Sequence, residues 1–307
     1  MISITIPNPD VVATLEEIRQ AEAAGVPAVW LTTAAAGRDA LTLFAAAAVQ
    51  TSGIKLGTSI IPTWPRHPIV VAQQAQVVEA LAPGRLRVGV GPSSRRPMEE
   101  LIGANWVRPV LHLREYVHVL KALLQTGSID FAGQHFTAHT RIAAPLQVPI
   151  LMAALRERAF HLAGEIADGA ISWMCPWPYL EQRALPALKA GAAAAGRPAP
   201  PLIMHVPVCR SEDFAAVRAA ANQQVSFYGR LPSYRAMFAD AGFEAGEDLS
   251  DSFIEALVAY GSDNVIAERL NWLLAQGAGE IIVHPLLIGE RAPALAGLFR
   301  LVAAANR

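Results

Sequence analysis

Cysteine is almost missing from this chain, with Cys175 and Cys209 the only two among 307 residues. Two are too few for a disulfide framework, and without CxxC spacing the usual zinc and thiol-redox signatures are excluded. The expected compartment is the reducing cytoplasm, and no metal site is expected. Net charge is also lacking, because 25 Lys and Arg stand against 26 Asp and Glu for a formal charge of -1. That balance excludes the strongly basic face of a nucleic-acid-binding domain, so any anionic ligand must be held by local charges. No apolar run reaches the roughly 20 residues that cross a bilayer. The opening MISITIPNPD has neither the basic region nor the long apolar core of a secretory signal. The most apolar stretch, Leu41 to Val49, is short and rich in alanine and reads as a buried helix. Missing too is the glycine-rich turn that follows the first strand of a dinucleotide-binding sheet. IPNPD stands there, and GVGPSS after the fourth candidate strand is a poor match.

What the chain does have is a repeated alternation of strand and helix. At 53% hydrophobic residues it can bury a large core, and residues 1–307 read as a single domain. Candidate strands are Ser3 to Ile6, Ala28 to Leu31, Lys55 to Ile60, Leu86 to Gly91, Ile150 to Ala153, Ala170 to Trp173, Leu202 to Val208 and Glu280 to His284. Most show no polar alternation, as expected of parallel strands covered on both faces. Helical spacing lies between them over Val12 to Ala24, Asp39 to Gln50, Pro68 to Leu81, Leu111 to Leu124 and Arg156 to Ile166. Eight such strands close a TIM (β/α)8 barrel, the α/β class expected here, with the open doubly wound sheet as the alternative. Two connections are long, Pro92 to Val110 after the fourth strand and Tyr228 to Ser252 after the seventh, and such insertions form lids or subunit contacts. Gly127 to Pro145 reads as a β-hairpin turning at Ala132-Gly133 or Gly133-Gln134.

The segments AVWLTTAAAGRDALTLFAAAA, IKLGTSIIPTWPRHPIVVAQQAQVVEALAPGRLRVGVG, LREYVHVLKALL, PILMAALRERAFHLAGEIADGAISWM and LVAYGSDNVIAERLNWLLAQGAGEIIVHP follow one another in order over nearly the whole chain. In that order and spacing they resemble the bacterial luciferase-like monooxygenase superfamily, and within it the oxidoreductases that use the deazaflavin coenzyme F-420 (F420). The resemblance implies a barrel whose carboxyl end holds a flavin or deazaflavin. Its ring would lie against the ends of strands two, three and four, and its phosphate tail over the ends of strands five and six. It also implies a non-proline cis peptide at the end of strand three, around Thr58 to Ile60.

The residues at those places have chemistry to match. Ala153, Ala154 and Leu155 put small side chains and backbone N–H groups before a helix beginning near Arg156, as helix N-termini that receive phosphate do. Arg156 adds charge where similar enzymes carry glycine; its other reading is a solvated first-turn residue. Ser172 is a hydrogen-bonding candidate, and Trp173 and Met174 can pack on ring or tail or be core. Thr58 and Ser59 end an apolar strand and need partners, a ligand or a loop backbone. Ser93 follows GVG, where relatives sometimes carry histidine. In PTWPRHP, Trp64 is a candidate wall of the substrate pocket, and His67 a weak catalytic candidate that also suits a helix start. His284 ends the eighth strand and is the other proton-transfer candidate, whereas His205 lies mid-strand. Thr32 begins the Thr-Thr-Ala that replaces the acidic residue or histidine of relatives, so no catalytic acid is assigned there.

The expected activity is hydride transfer between F420 and a small organic substrate. A flavin mononucleotide (FMN) monooxygenase is the first alternative, and a barrel that binds such a ligand without turning over is the second. A homodimer through the outer helices is expected, with no nucleic-acid or membrane partner.

Overall fold

Residues 1–7, 10–34, 36–244 and 249–307 are described by the computed structural model. Eight parallel strands pair in sequence order: β1 (Ile2–Thr5), β2 (Ala28–Leu31), β3 (Lys55–Thr58), β4 (Leu86–Gly91), β5 (Ile150–Ala153), β6 (Gly169–Ser172), β7 (Leu202–Cys209) and β8 (Glu280–Pro285). Pairing of β1 with β8, Ser3 opposite Ile282, closes the ring. The fold is therefore a TIM barrel, and each candidate strand is present within a residue or two of its expected limits.

Helices surround the ring: α1 (Val11–Ala23), α2 (Ala40–Ala48), α3 (Pro68–Leu81), α4 (Arg95–Ile102), α5 (Pro109–Lys121), α6 (Glu157–Ile166), α7 (Leu185–Ala194), α8 (Phe214–Val225), α9 (Pro232–Asp240), α10 (Asp251–Leu257), α11 (Asp263–Ala275) and α12 (Arg291–Ala305). Several start where a side chain satisfies an orphan first-turn N–H. Asp10 accepts from the N–H of Ala13 at 2.8 Å and Asp39 from that of Thr42 at 2.9 Å. His67 Nδ1 accepts from the N–H of Ile69, with Pro68 at the first helical position. The spacing-based helix Asp39 to Gln50 is observed over Ala40–Ala48, one residue shorter at its start, where Asp39 is the cap, and two shorter at its end.

Period-two alternation separates two cores. Outward residues such as Ile4, Val29, Val88 and Val283 pack under the helices, while Trp30, Leu151, Ile171, Ile203 and Ile282 form a distinct cluster inside the ring with Ile60 against it. Gly57 makes room for it: a Cβ there would lie 2.3 Å from the Trp30 ring. Below, at the amino ends of the strands, Arg87 and Glu280 form a buried ion pair, with Nη2 3.1 Å from Oε1. Ser3 donates to Glu280 Oε1 at 2.7 Å, Trp30 Nε1 donates to Ser3 Oγ at 2.9 Å, and the Arg87 guanidinium lies 4.3 Å from the Trp30 ring centre. The base of the barrel is polar and, apart from Arg87 Nε, this cluster is paired among the described residues.

Both insertions leave the carboxyl ends of the strands. The first carries α4. The second carries α9 and α10, and Ala245 to Asp248 within its GFEAGEDLSD run lie outside the described residues. The hairpin before β5 pairs Ser128–Ala132 with Thr137–Arg141, and its turn spans Gly133 to Phe136, longer than either expected dipeptide. Glu115 on α5 explains the length. Its carboxylate accepts the N–H groups of Gln134, His135 and Phe136 at 2.9, 2.8 and 3.1 Å. Burial works to raise the Glu115 pKa, but these three bonds outweigh it and hold the carboxyl below its usual range.

Candidate active site

At the carboxyl end of the barrel the same alternation turns Thr5, Thr32, Ser59, Gly91, Ala153, Trp173, His205 and His284 inward, one layer above the apolar cluster. These residues form the floor of the barrel mouth. The Ser59-Ile60 peptide is cis, where the family resemblance put it. Backbone and side-chain bonds hold that segment: Ser59 N–H donates to Leu31 O at 2.8 Å, Thr32 Oγ1 to Ser59 O at 2.7 Å and Thr33 N–H to Ile60 O at 3.2 Å. The Ser59 hydroxyl is buried and has no partner among the described residues. A buried hydroxyl without a partner is costly, and at the floor of an open mouth a ligand's polar edge would satisfy it.

Two non-glycine residues at strand ends have left-handed backbones, Ser93 after β4 with φ 63° and Met174 after β6 with φ 58°. Such conformations cost of order 1–3 kcal/mol each and cluster at ligand sites. Gly91 gives β4 its close approach to β5, since a Cβ would come within 2.6 Å of that of Ala153.

Trp173 is the hub of the far side. Its ring meets those of His205, His284 and Tyr228 edge-on, with centroids 5.2, 4.7 and 5.5 Å away. His284 Nδ1 lies 3.4 Å from Thr5 Oγ1, and His205 Nδ1 is buried without a partner among the described residues. Burial and then the neighbouring His284 push the His205 imidazole down to about 3, and burial pushes His284 down to about 4. A second aromatic group flanks the β3–β4 side. The His112 ring stacks on Trp64 at 3.7 Å, its Nε2 lies 3.0 Å from Thr63 Oγ1, and Trp106 and His135 lean on Trp64 at 5.1 and 6.3 Å. Burial and then His135 push His112 down to about 4.

These three imidazoles are neutral in the folded protein over the mildly acid range, whereas a free histidine takes up a proton near pH ~6.5. The unfolded chain then binds more protons, so folded stability is complete above about pH 6.5 and falls as the pH drops toward ~4, by up to ~1.4 kcal/mol per pH unit for each group. Urea unfolding between about pH 7 and 5 is expected to show that decline, and His205→Phe to flatten its slope by about one proton. An unchanged slope in the variant would remove His205 from this account.

The other residues expected from sequence divide. Thr58 faces outward, and its hydroxyl is spent on the backbone of Gly89, donating to O at 2.9 Å and accepting from N–H at 2.8 Å, so the neighbouring strand β4, and neither a loop nor a ligand, satisfies it. Ser172 is also buried on the outer face of its strand, which corrects its assignment to the mouth. Met174 is fully buried and serves the core side of its turn. The N–H of Ala154 is not free, because it donates to Ile171 O at 2.8 Å, and Leu155 O accepts from Tyr179 Oη at 3.0 Å. Arg156 is the residue before α6 rather than its first, and its guanidinium reaches Asp240 on α9 at 2.8 Å. His67 is the cap of α3 described above, with its Nδ1 engaged by the Ile69 N–H. Trp64 lines the β3 side, packed on His112. Sequence reasoning missed Thr5, His112, Tyr228 and Asp240. Tyr228 and Asp240 belong to an insertion whose return path has no sequence signal, and Thr5 is visible only once β1 and β8 are known to pair.

Eight parallel strands closed into a ring, with small residues along one edge of the mouth and neutral polar groups on its floor, define an α/β TIM barrel. The signature of the family described as luciferase-like monooxygenase matches residues 4–278, and the chain belongs to that family. It is 30% identical over 228 residues to an uncharacterized protein of Mycobacterium tuberculosis, covering 69% of this chain and 67% of that protein. It is 25% identical over 299 residues to the 5,10-methylenetetrahydromethanopterin reductase of Methanolobus tindarius, covering 90% and 91%. Its fold matches a solved F420-dependent secondary alcohol dehydrogenase in complex with an F420-acetone adduct, with a TM-score of 0.81, 18% identity and coverage of 100% and 99%. No described helix is long and apolar enough to cross a membrane.

Proposed function

We propose that this protein is an oxidoreductase that transfers a hydride between F420 and a small organic substrate at the barrel mouth. The observation that carries the reading is the unpartnered, buried Ser59 hydroxyl beside the cis Ser59-Ile60 peptide, facing a floor bordered by Gly91 and Ala153. Those residues fit one face of a flat ring and supply a hydrogen bond to its edge. Similarity to the F420-dependent glucose-6-phosphate dehydrogenase of Beutenbergia cavernae, 34% identical over 176 residues and covering 55% of this chain and 52% of that protein, supports the choice of F420. Ser93, on the exposed rim with a left-handed backbone, and Trp173 border the same opening. Arg156 is the nearest cation beyond Ala153 to Leu155 for an anionic tail.

When bound, F420 supplies the carbon that gives or accepts the hydride. The chain's own task is to hold the substrate carbon in line and to manage a proton on the substrate heteroatom. His284 is placed for the second task. With Nδ1 turned toward Thr5, Nε2 is the nitrogen left for the substrate, and the neutral imidazole can accept a hydrogen bond from a substrate hydroxyl there. Trp64 and Trp106 border the side from which a substrate enters, and exclude water once it is seated.

Fluorescence titration with F420 and, separately, with FMN tests the reading, together with reoxidation of the reduced cofactor in air. Expected is saturable F420 binding with slow reoxidation. Preferential FMN binding with fast oxygen consumption would replace the reading by a flavin monooxygenase, and binding of neither would overturn it.

A further inference from the structure

The second insertion touches both ends of the proposed cofactor site. Tyr228 lies edge-on against Trp173 on the floor, Tyr234 packs on Tyr228 with centroids 4.8 Å apart, and Phe238 continues the row one turn on, 6.2 Å from Tyr234. Phe238 is anchored in turn on Phe253 of α10, at 4.6 Å. This row fixes α9, and α9 ends on Asp240, whose Oδ2 lies 2.8 Å from Arg156 Nη2. A carboxylate from the insertion therefore sits on the cation that the proposed tail site offers.

The setting of the pair makes it exchangeable. Both side chains keep contact with water, at 41% and 34% exposure, so neither charge is locked in a dry interior. Arg156 makes no cap hydrogen bond to α6, and Asp240 is the partner of its guanidinium. An exposed ion pair of this kind contributes modestly and gives way to a stronger anion. A phosphate or phosphodiester on Arg156 forms bonds of at least equal strength, but it cannot share that guanidinium with Asp240 without bringing two negative groups together.

We infer that Asp240 is a built-in competitor for the anionic tail at Arg156, so that ligand binding must break the Arg156–Asp240 pair and loosen α9. Asp240 is then a specificity-determining residue that discriminates against tails too weakly anionic to displace it from Arg156, while leaving neutral ring compounds unaffected. The inference rests on the cofactor reading above for the identity of the tail.

Asp240→Asn tests it, with F420 as the probe and trypsin as a second readout. Arg230 and Arg235 beside and on α9 are exposed and report its loosening. Relative to the parent protein, Asp240→Asn is expected to bind F420 about fivefold more tightly, the fold-change expected from removing one exposed ion pair. It is also expected to be cut faster at Arg235. Lumichrome, a flat ring without a tail, is expected to bind the two proteins equally. If the parent binds F420 and the variant binds it no better, or more weakly, Asp240 is not a competitor and the inference falls alone. If neither protein binds F420, the cofactor reading falls and takes the tail with it.

Discussion

Charge reversal at Arg156, Arg156→Glu, is expected to weaken F420 binding by at least about 100-fold. The hydrogen bonds that a guanidinium gives an anion are worth about 1.5–3 kcal/mol, and a carboxylate in its place adds repulsion of similar size, so a loss of roughly 3 kcal/mol is a floor. The side chain is 41% exposed, so the variant is expected to fold, with its melting temperature lowered only modestly by loss of the pair with Asp240. Arg156→Lys keeps the charge but loses the planar fork, and is expected to fall between the two. The measurement is a fluorescence titration at fixed, low ionic strength, because salt screens the effect. A charge-reversed protein that binds F420 within about fivefold of the parent would show that the tail lies elsewhere.

Glu280→Ala is expected to cost about 3–5 kcal/mol of folding stability. Glu280 accepts from Arg87, Ser3 and Trp30 inside the base of the barrel. Removing it strands the Arg87 guanidinium in the interior, while the Ser3 hydroxyl still reaches Ile281 O at 3.0 Å. Replacing the pair together by apolar residues of similar volume, as in Arg87→Met with Glu280→Leu, is expected to recover much of the loss. Urea unfolding of the single and double variants measures both. The mouth lies at the opposite end of the strands, so F420 affinity should change little in variants that remain folded. A single variant within ~1 kcal/mol of the parent would show that water reaches Arg87 and repairs the break.

The eight strands were readable because parallel strands under helices are continuously apolar and short, and because Gly and Pro punctuate their ends. Leu86–Gly91 and Ile150–Ala153 match their expected limits. Side-chain direction was harder. Thr58 and Ser59 are adjacent hydroxyls on one strand end, yet one is outward and spent on Gly89 while the other is inward and free, a distinction of one residue in register. Ser172 and Trp173 part in the same way. The helix expected to begin near Arg156 begins at Glu157, and fewer free N–H donors precede it than expected, because the β6 backbone takes the N–H of Ala154. His67 announced its role through the Pro that follows it, since a side chain before Pro68 caps a helix that proline begins.

Composition and order alone determined the class of this protein. Balanced charge, scarce cysteine, short apolar strands and the order of the segments belong to a luciferase-like barrel whichever residues line its mouth. Only the tertiary structure decided which polar groups meet. Ring closure brings Thr5 to His284 across 279 positions of chain, and the returning insertion brings Asp240 to Arg156. Local sequence sets backbone preference and periodicity over a few residues, whereas contacts between distant segments depend on how the whole barrel closes and where its loops return.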